Sequence, residues 1–310
     1  QEQAGHYGPI VIDPAGPDPV QADRDYVLLL SEFTPLHPHT IMDKLKKGEG
    51  YFNHQQNTWT DDYPLSGEDR RMWARMRMMA TDILDVTGST YTYLANGHGP
   101  EEGLEYLFNP GERVRIRVIN GSAMSFFNIR IPGMKFWVVG ADGQNVRPVE
   151  VEEFQIGTAE TYDIVVEPTG EARTIVAESM DRSGMAVATL ASRPGARAAV
   201  PALRDPPLLT MADMGMNHGS GGMDHGSGDM AGMDHSAMGH DMPTQGATAD
   251  PMAGMDMGSM DMSGMDMRDT SLLPPSVKVG PGIDMVSMNP VDRMGDPGLG
   301  LDDVPHKVLT

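Results

Sequence analysis

All 18 aromatic residues of this chain, 8 Tyr, 7 Phe and 3 Trp, lie between Tyr7 and Tyr162. The 148 residues that follow contain none. Rings supply a large share of the area buried in a core, so a packed domain of that length without one is not expected. A length of 310 residues suggests about two domains of roughly 150 residues each. The placement of the rings corrects this to one folded domain in the first two-thirds and a mostly unfolded tail.

Composition then removes several kinds of chemistry. The chain has no Cys, which excludes a disulfide framework, an iron–sulfur cluster, a thiolate nucleophile and any Cys-containing zinc or blue-copper site within it. With 23 Lys+Arg against 44 Asp+Glu the net charge is −21, a field that repels phosphates, so no nucleic acid partner is expected. No run of 18 or more apolar residues occurs, and no membrane span is expected. The chain opens on Gln1 without a basic and then apolar leader, as in a processed chain or a piece of a longer one.

Residues 1–20 are rich in Gly and Pro around the apolar run Ile10-Val11-Ile12, which reads as a closing strand followed by a linker. Tyr26 to Leu30 reads as a strand. Ser66-Gly67-Glu68-Asp69 offers a cap before Arg70 to Ala80, where Met72, Met76 and Met79 recur at helical spacing, so a short amphipathic helix is expected there. Beside Trp73, these sulfurs and Met78 are expected to pack in a core.

From Thr90 the period becomes two. Val114, Ile116 and Val118 share one face of a strand and Arg113, Arg115 and Arg117 the other, as a half-buried strand requires. Asn109-Pro110-Gly111 and Asn120-Gly121 bound it with turn chemistry. Further runs lie at 126–131, 136–139, 151–156, 162–166, 174–178 and 186–190, with breaks at Pro132-Gly133, Asp142-Gly143, Pro148, Gly157 and Pro168-Thr169-Gly170. Short strands at spacings of about 8 to 12 residues predict an all-β, antiparallel two-sheet sandwich.

After Leu190 the alternation stops, and Arg193 to Pro207 is an Ala/Pro/Arg linker. Residues 211–267 then hold 15 of the 27 Met, 4 of the 10 His and 9 Asp with no Lys, Arg or Glu. A stretch with one sign of charge, many Gly and Ser and few aliphatic residues does not fold alone. Its units are Met211, Met214, Met216 and His218; Met223 and His225; Met230, Met233 and His235; Met238, His240 and Met242; then Met255 with Met257, Met260 with Met262, and Met265 with Met267.

Thioethers are soft, uncharged donors that select Cu(I) among common ions, and imidazole also serves Cu(II). Spacings of one or two residues let a loop wrap two or three sulfurs around one ion. The Asp residues attract cations without supplying preferred ligands to a soft metal. A core-packing role for the tract is excluded by its acidity and lack of aliphatic partners, and a sacrificial oxidation scavenger is the remaining bland reading.

Several segments carry a family likeness. Residues 1–13 resemble the end of the first cupredoxin domain of bacterial copper-resistance multicopper oxidases. Thr90 to Gly97, Pro110 to Met124, Ala141-Asp142-Gly143, Ala159 to Asp163 and Ser179 to Gly184 resemble that family's middle domain, and a Met/His/Asp linker following Leu208 to Met211 is typical of it. The resemblance covers nearly the whole chain.

It implies a periplasmic oxidase of three cupredoxin-like Greek-key sandwiches that oxidises Cu(I) or other donors and reduces oxygen to water. On that reading residues 1–20 end the first cupredoxin domain, 21–195 form the middle one, 196–275 are a disordered Met-rich copper-binding linker, and 276–310 open a third domain. The remaining domains of the parent chain would carry the type 1 and trinuclear copper sites, in His-X-His pairs upstream and a His-Cys-His motif downstream, and the present residues alone would be inactive.

His37-Pro38-His39 has a ligand-like spacing but lacks the family context, and is expected to be a solvated loop; His6, His54, His98 and His306 stand alone. The rival reading is a non-enzymatic periplasmic copper store or chaperone, and a third is a structural or adhesion sandwich with an irrelevant Met tail.

Overall fold

The computed structural model describes residues 5–48, 50–54, 80–207, 209, 298–301, 304, 305 and 307–310. The chain divides into two units, Gln1–Pro64 with Met76–Leu208 and Asp292–Thr310, and Leu65–Arg75 with Leu209–Val291. Apart from Leu209, every described residue belongs to the first unit. The expected helix at 70–80 falls outside the described residues except for Ala80, as do Met72, Trp73, Met76, Met78 and Met79.

In chain order the elements are β1 (Arg24–Phe33), α1 (Pro38–Leu45), β2 (Thr92–Ala95), β3 (Glu105–Leu107), β4 (Val114–Asn120) and β5 (Phe127–Arg130). Then come β6 (Phe136–Ala141), β7 (Gln144–Val151), β8 (Glu153–Ile156), β9 (Thr161–Val166), β10 (Ala172–Ser179) and β11 (Met185–Ala191). One sheet has the order β2-β1-β4-β9-β6-β7 and the other β3-β11-β10-β5-β8. The two-sheet, all-β architecture is the one the alternation predicts. Strict antiparallel pairing is not: β1 runs parallel to β4 and β3 parallel to β11. Periodicity reports which face of a strand is apolar and carries no information about the direction of its neighbour.

Alternating residues of both sheets fill the interior. Leu28, Leu30, Ile116 and Val118 meet Phe127, Ile129 and Ile175, all nearly or fully buried. Tyr93 and Phe127 pack edge to face with ring centroids 5.3 Å apart, the favoured geometry for two quadrupoles.

The outer face of β4 is less exposed than a half-buried strand requires. Arg115 is buried because Asp18 accepts from its Nη1 at 2.7 Å and Asp25 accepts from its Nε at 2.8 Å. Asp25 also accepts from Arg117 at 3.0 and 2.8 Å. Asp18 belongs to the N-terminal segment, so these ion pairs draw that segment over the sheet.

The sequence expectation of a strand at Ile10-Val11-Ile12 is not met. Among the described residues 5–23 no strand is present, and Ile10 and Ile12 are each 84% exposed. A strand needs a neighbour's backbone to complete its hydrogen bonds, and no strand among the described residues pairs with this run.

The expectation of a loop at His37-Pro38-His39 is also corrected. His37 caps α1, its side chain accepting from the His39 N–H, and Pro38 starts the helix where a missing N–H costs nothing. The helix buries Ile41 alone, so no apolar period announced it.

The apolar run 151–156 is two strands. It breaks at Glu152, with Val151 ending β7 in one sheet and Glu153 opening β8 in the other. Pro148, read as a break, lies inside β7, which tolerates it as an edge strand.

Phe127→Ala removes a fully buried ring at the centre of this interior. We expect a loss of about 3–5 kcal/mol of stability, read from a shift in the urea midpoint at unchanged slope.

A second outcome concerns acid. Glu112 accepts from Arg24 Nε at 2.8 Å and from the Asn109 N–H at 2.8 Å, which hold its carboxyl down to about 2 from an ordinary 4.5. A depressed carboxyl stabilises the fold above its unfolded value and loses that contribution as pH falls through the folded one. Stability of Glu112→Gln and of the parent chain is therefore expected to converge between pH 4.5 and about 2. A difference that persists below pH 2 would contradict the assignment.

Candidate functional site

All eighteen sequence-predicted ligands, from Met211 to Met267, lie outside the described residues. What the structure places is the frame on either side of the tract, and the other groups that could compete for a metal.

The N-terminal flank is the segment that composition reads as a linker. It lies on the outer face of the second sheet, where Thr174 Oγ1 donates to the Ala199 carbonyl at 2.9 Å. Arg204 then enters a group of charges. Its backbone N–H and Nε donate to Glu178 at 2.8 and 2.5 Å, and its Nη1 and Nη2 donate to Glu153 at 3.0 and 2.6 Å. Glu178 on β10 has no exposure, and it also accepts from Arg130 Nη2 at 3.3 Å.

The C-terminal flank reaches the same face. Gln155 Nε2 donates to the Leu299 carbonyl at 3.1 Å and to Asn128 Oδ1 at 3.1 Å. Arg182 donates to Ser179 O at 3.0 Å and to Gly300 O at 3.3 Å. It adopts a positive φ of 60°, which turns the Ser179–Gly184 segment back on itself.

Burial, followed by the nearby Arg204 charge, lowers the Arg182 guanidinium from its usual value, against the pull of Glu178 and Glu153. Burial also opposes the charge on Arg204, but Glu153 and Glu178 more than compensate and raise it. A guanidinium keeps its charge throughout, so the group acts as a fixed ionic network.

Two clefts open on the sandwich. One of about 530 Å³ is lined by residues that include Tyr7, Glu32, Phe33 and Asn96. Another of about 420 Å³ lies between Ile10 to Pro19 and the outer face of β4, β6 and β9. Neither is lined by an imidazole or a thioether.

At one end of the sandwich Glu32 sits near Asp85. Desolvation chiefly, with the Asp85 charge adding to it, raises the Glu32 carboxyl, while Ser125 Oγ donates to Asp85 at 2.7 Å. Both carboxylates are already engaged by the protein, Glu32 accepting from the Ala123 N–H at 2.8 Å and Asp85 from Ser125. Among the described residues no group of three or more His, Cys, Asp or Glu could hold a metal ion.

Of the pair with ligand-like spacing, His37 is likewise committed. The His37 and His39 rings stack at 5.2 Å, and His37 Nδ1 accepts from the His39 N–H at 3.2 Å. An acceptor Nδ1 requires the proton on Nε2, which blocks the nitrogen left for a metal. His98 pairs with Glu102 at 3.1 Å and so does not stand alone, while His6 and His54 are exposed and His306 lies outside the described residues.

A family model described as multicopper oxidase matches residues 24–194, more than half of the chain. The chain belongs to the multicopper oxidase family. It is 48% identical to copper resistance protein A of Escherichia coli, covering 100% of this chain and 54% of that one. It is 46% identical to copper resistance protein A of Pseudomonas syringae pv. tomato, again over 100% of this chain and 54% of that one. The chain therefore spans about half the length of the curated relatives it matches.

Among solved structures it resembles a laccase from Botrytis aclada at 16% identity and a TM-score of 0.39, covering 62% of this chain and 33% of that one. The two sheets described above form the cupredoxin-like Greek-key sandwich that the family resemblance implies.

Copper, the metal of this oxidoreductase family, does not fit the described residues. They offer it no thiolate and no converging imidazoles.

The exposed histidine pair yields a test. His37→Ala with His39→Ala is expected to leave the copper stoichiometry of the chain unchanged, measured by elemental analysis after dialysis. A loss of one ion per chain would place a site at the start of α1.

Proposed function

We propose that this chain is the middle portion of a periplasmic copper-resistance multicopper oxidase that oxidises Cu(I) and reduces oxygen to water, with the Met-rich tract capturing copper. The observation that carries the reading is the near-half identity to copper resistance protein A over 100% of the chain. The redox coppers belong, on this reading, to the remaining domains of the parent protein.

The tract supplies the second support. Fifteen Met and four His within residues 211–267, with nine Asp and no basic residue, make a soft-donor segment in an anionic field. Asp side chains raise the local cation concentration, and pairs of thioethers such as Met255 with Met257 or Met230 with Met233 hold Cu(I) exchangeably. Loose sites at many positions suit delivery better than a rigid cage, because an ion must leave as readily as it enters.

The non-enzymatic copper store or chaperone remains the alternative, and the same tract chemistry favours it. The two differ in whether electrons leave the captured ion. Oxygen consumption on addition of Cu(I) to the whole parent protein supports the oxidase; uptake without consumption supports the store.

Capture itself is tested by titrating the 310-residue chain with Cu(I) under reducing conditions in competition with a chromogenic chelator. Several ions per chain are expected, and Met→Leu replacement across 211–267 should abolish most of the uptake. Uptake that survives the replacement removes the capture reading and leaves the family membership untouched.

A further inference from the structure

The two flanks of the Met-rich tract meet at one place on the sandwich. Arg204, on the N-terminal flank, spans the second sheet by holding Glu178 of β10 and Glu153 of β8, two strands separated by β5. Leu299 and Gly300, on the C-terminal flank, are held by Gln155 of β8 and by Arg182 just after β10. A Cβ built on Gly300 would lie 3.6 Å from Cβ of Pro207, so the chain leaves and re-enters the sandwich at neighbouring points.

The site is specific in its chemistry. Gly300 has a φ of +74°, and a Cβ there would come within 2.5 Å of Arg182 Nη2, so both the backbone and the contact call for glycine. Arg182 is buried at 2% side-chain exposure, and the Gly300 carbonyl uses one of its donors. Asn128 Nδ2 and the Nε atoms of Arg130 and Arg182 are buried without partners, so this face carries more donors than acceptors. The C-terminal flank answers these donors with the Leu299 and Gly300 carbonyls, and the N-terminal flank answers the buried Glu178 and Glu153 carboxylates with the Arg204 guanidinium.

We propose that the Glu178–Arg182–Gln155 face is a clasp that docks the segments before and after the tract side by side, making residues 208–297 an insertion fastened to the sandwich at both ends. Bringing two distant points of a chain together costs conformational entropy that grows slowly with the length between them. The clasp offsets that cost with contacts made by both flanks on one rigid sheet. The inference stands on the flanks alone and does not require that the tract bind copper. Combined with the capture reading, it means that a captured ion stays tethered to the sandwich from both sides.

The test is a nick. A protease recognition site is inserted between Gln245 and Gly246 of the 310-residue chain, the tract is cut under native conditions, and the two pieces are followed by gel filtration. With Leu309→Ala present in every version, to remove that residue's separate hold on the core, the unmodified clasp should keep the pieces together. Gln155→Leu with Arg182→Met should release the C-terminal piece at least ~10-fold more readily, as expected when buried charged hydrogen bonds lose a partner.

Gly300→Val lies on the docked segment, leaves the sandwich strands unaltered, and should do the same even if the double variant misfolds. On the other flank, exchange of the Arg204 amide hydrogen should be slow and should accelerate in Glu178→Gln. Immediate separation of the unaltered pieces overturns the clasp. So does retention in Gly300→Val equal to that of the unaltered chain.

Discussion

Glu178 has no contact with water, and a carboxylate removed from water persists only where cations and hydrogen bonds replace its hydration. Arg204 and Arg130 donate to it directly, and Arg182 approaches to 4.0 Å. The demand of one buried charge therefore draws together a strand, a turn and a segment that follows the last strand. The outer face of the second sheet is covered as a result, and the approach to the Met-rich tract runs over that cover. Replacing the group with apolar residues could preserve stability but would discard the directionality with which guanidinium forks choose their partners.

The first sheet solves the same problem with different residues. Asp25 stands between Arg115 and Arg117, and Asp18 of the N-terminal segment takes a further donor of Arg115. Desolvation works against the Asp25 charge, but the hydrogen bonds from Arg117 and Arg115 outweigh it and keep the carboxyl below its ordinary range. Both outer faces of the sandwich thus carry ionic networks that fasten the segments entering and leaving it. Metal chemistry is absent from both networks, since each carboxylate is already neutralised by arginine. The described scaffold thus uses its charges to hold the chain, while the soft donors of the sequence are concentrated in the tract.

The interior was legible in advance because burial acts through alternation. Val114, Ile116 and Val118 declare an inward face, and the rings that stop at Tyr162 mark the region able to support a core. Motif residues were legible too. The Ser179–Gly184 segment singled out by resemblance is the turn that carries Arg182, although nothing local announces that this arginine is buried. The helix at Pro38–Leu45 and the short strand β3 escaped notice because each buries few apolar residues. Glu153, Glu178 and Arg204 were missed as well, since in sequence they are ordinary charged residues with no motif around them.

The sequence by itself determined the chemistry: no thiolate, a soft-donor acidic tract, and strand-forming runs confined to one region. These depend on residue type and short spacing, which a linear chain carries explicitly. Only the tertiary structure decided that β1 lies parallel to β4, that the run 151–156 divides at Glu152 between the two sheets, and that Pro207 and Gly300 become neighbours. Those outcomes rest on which buried charge finds which partner across long stretches of chain, and pairings of that range are settled by packing in three dimensions.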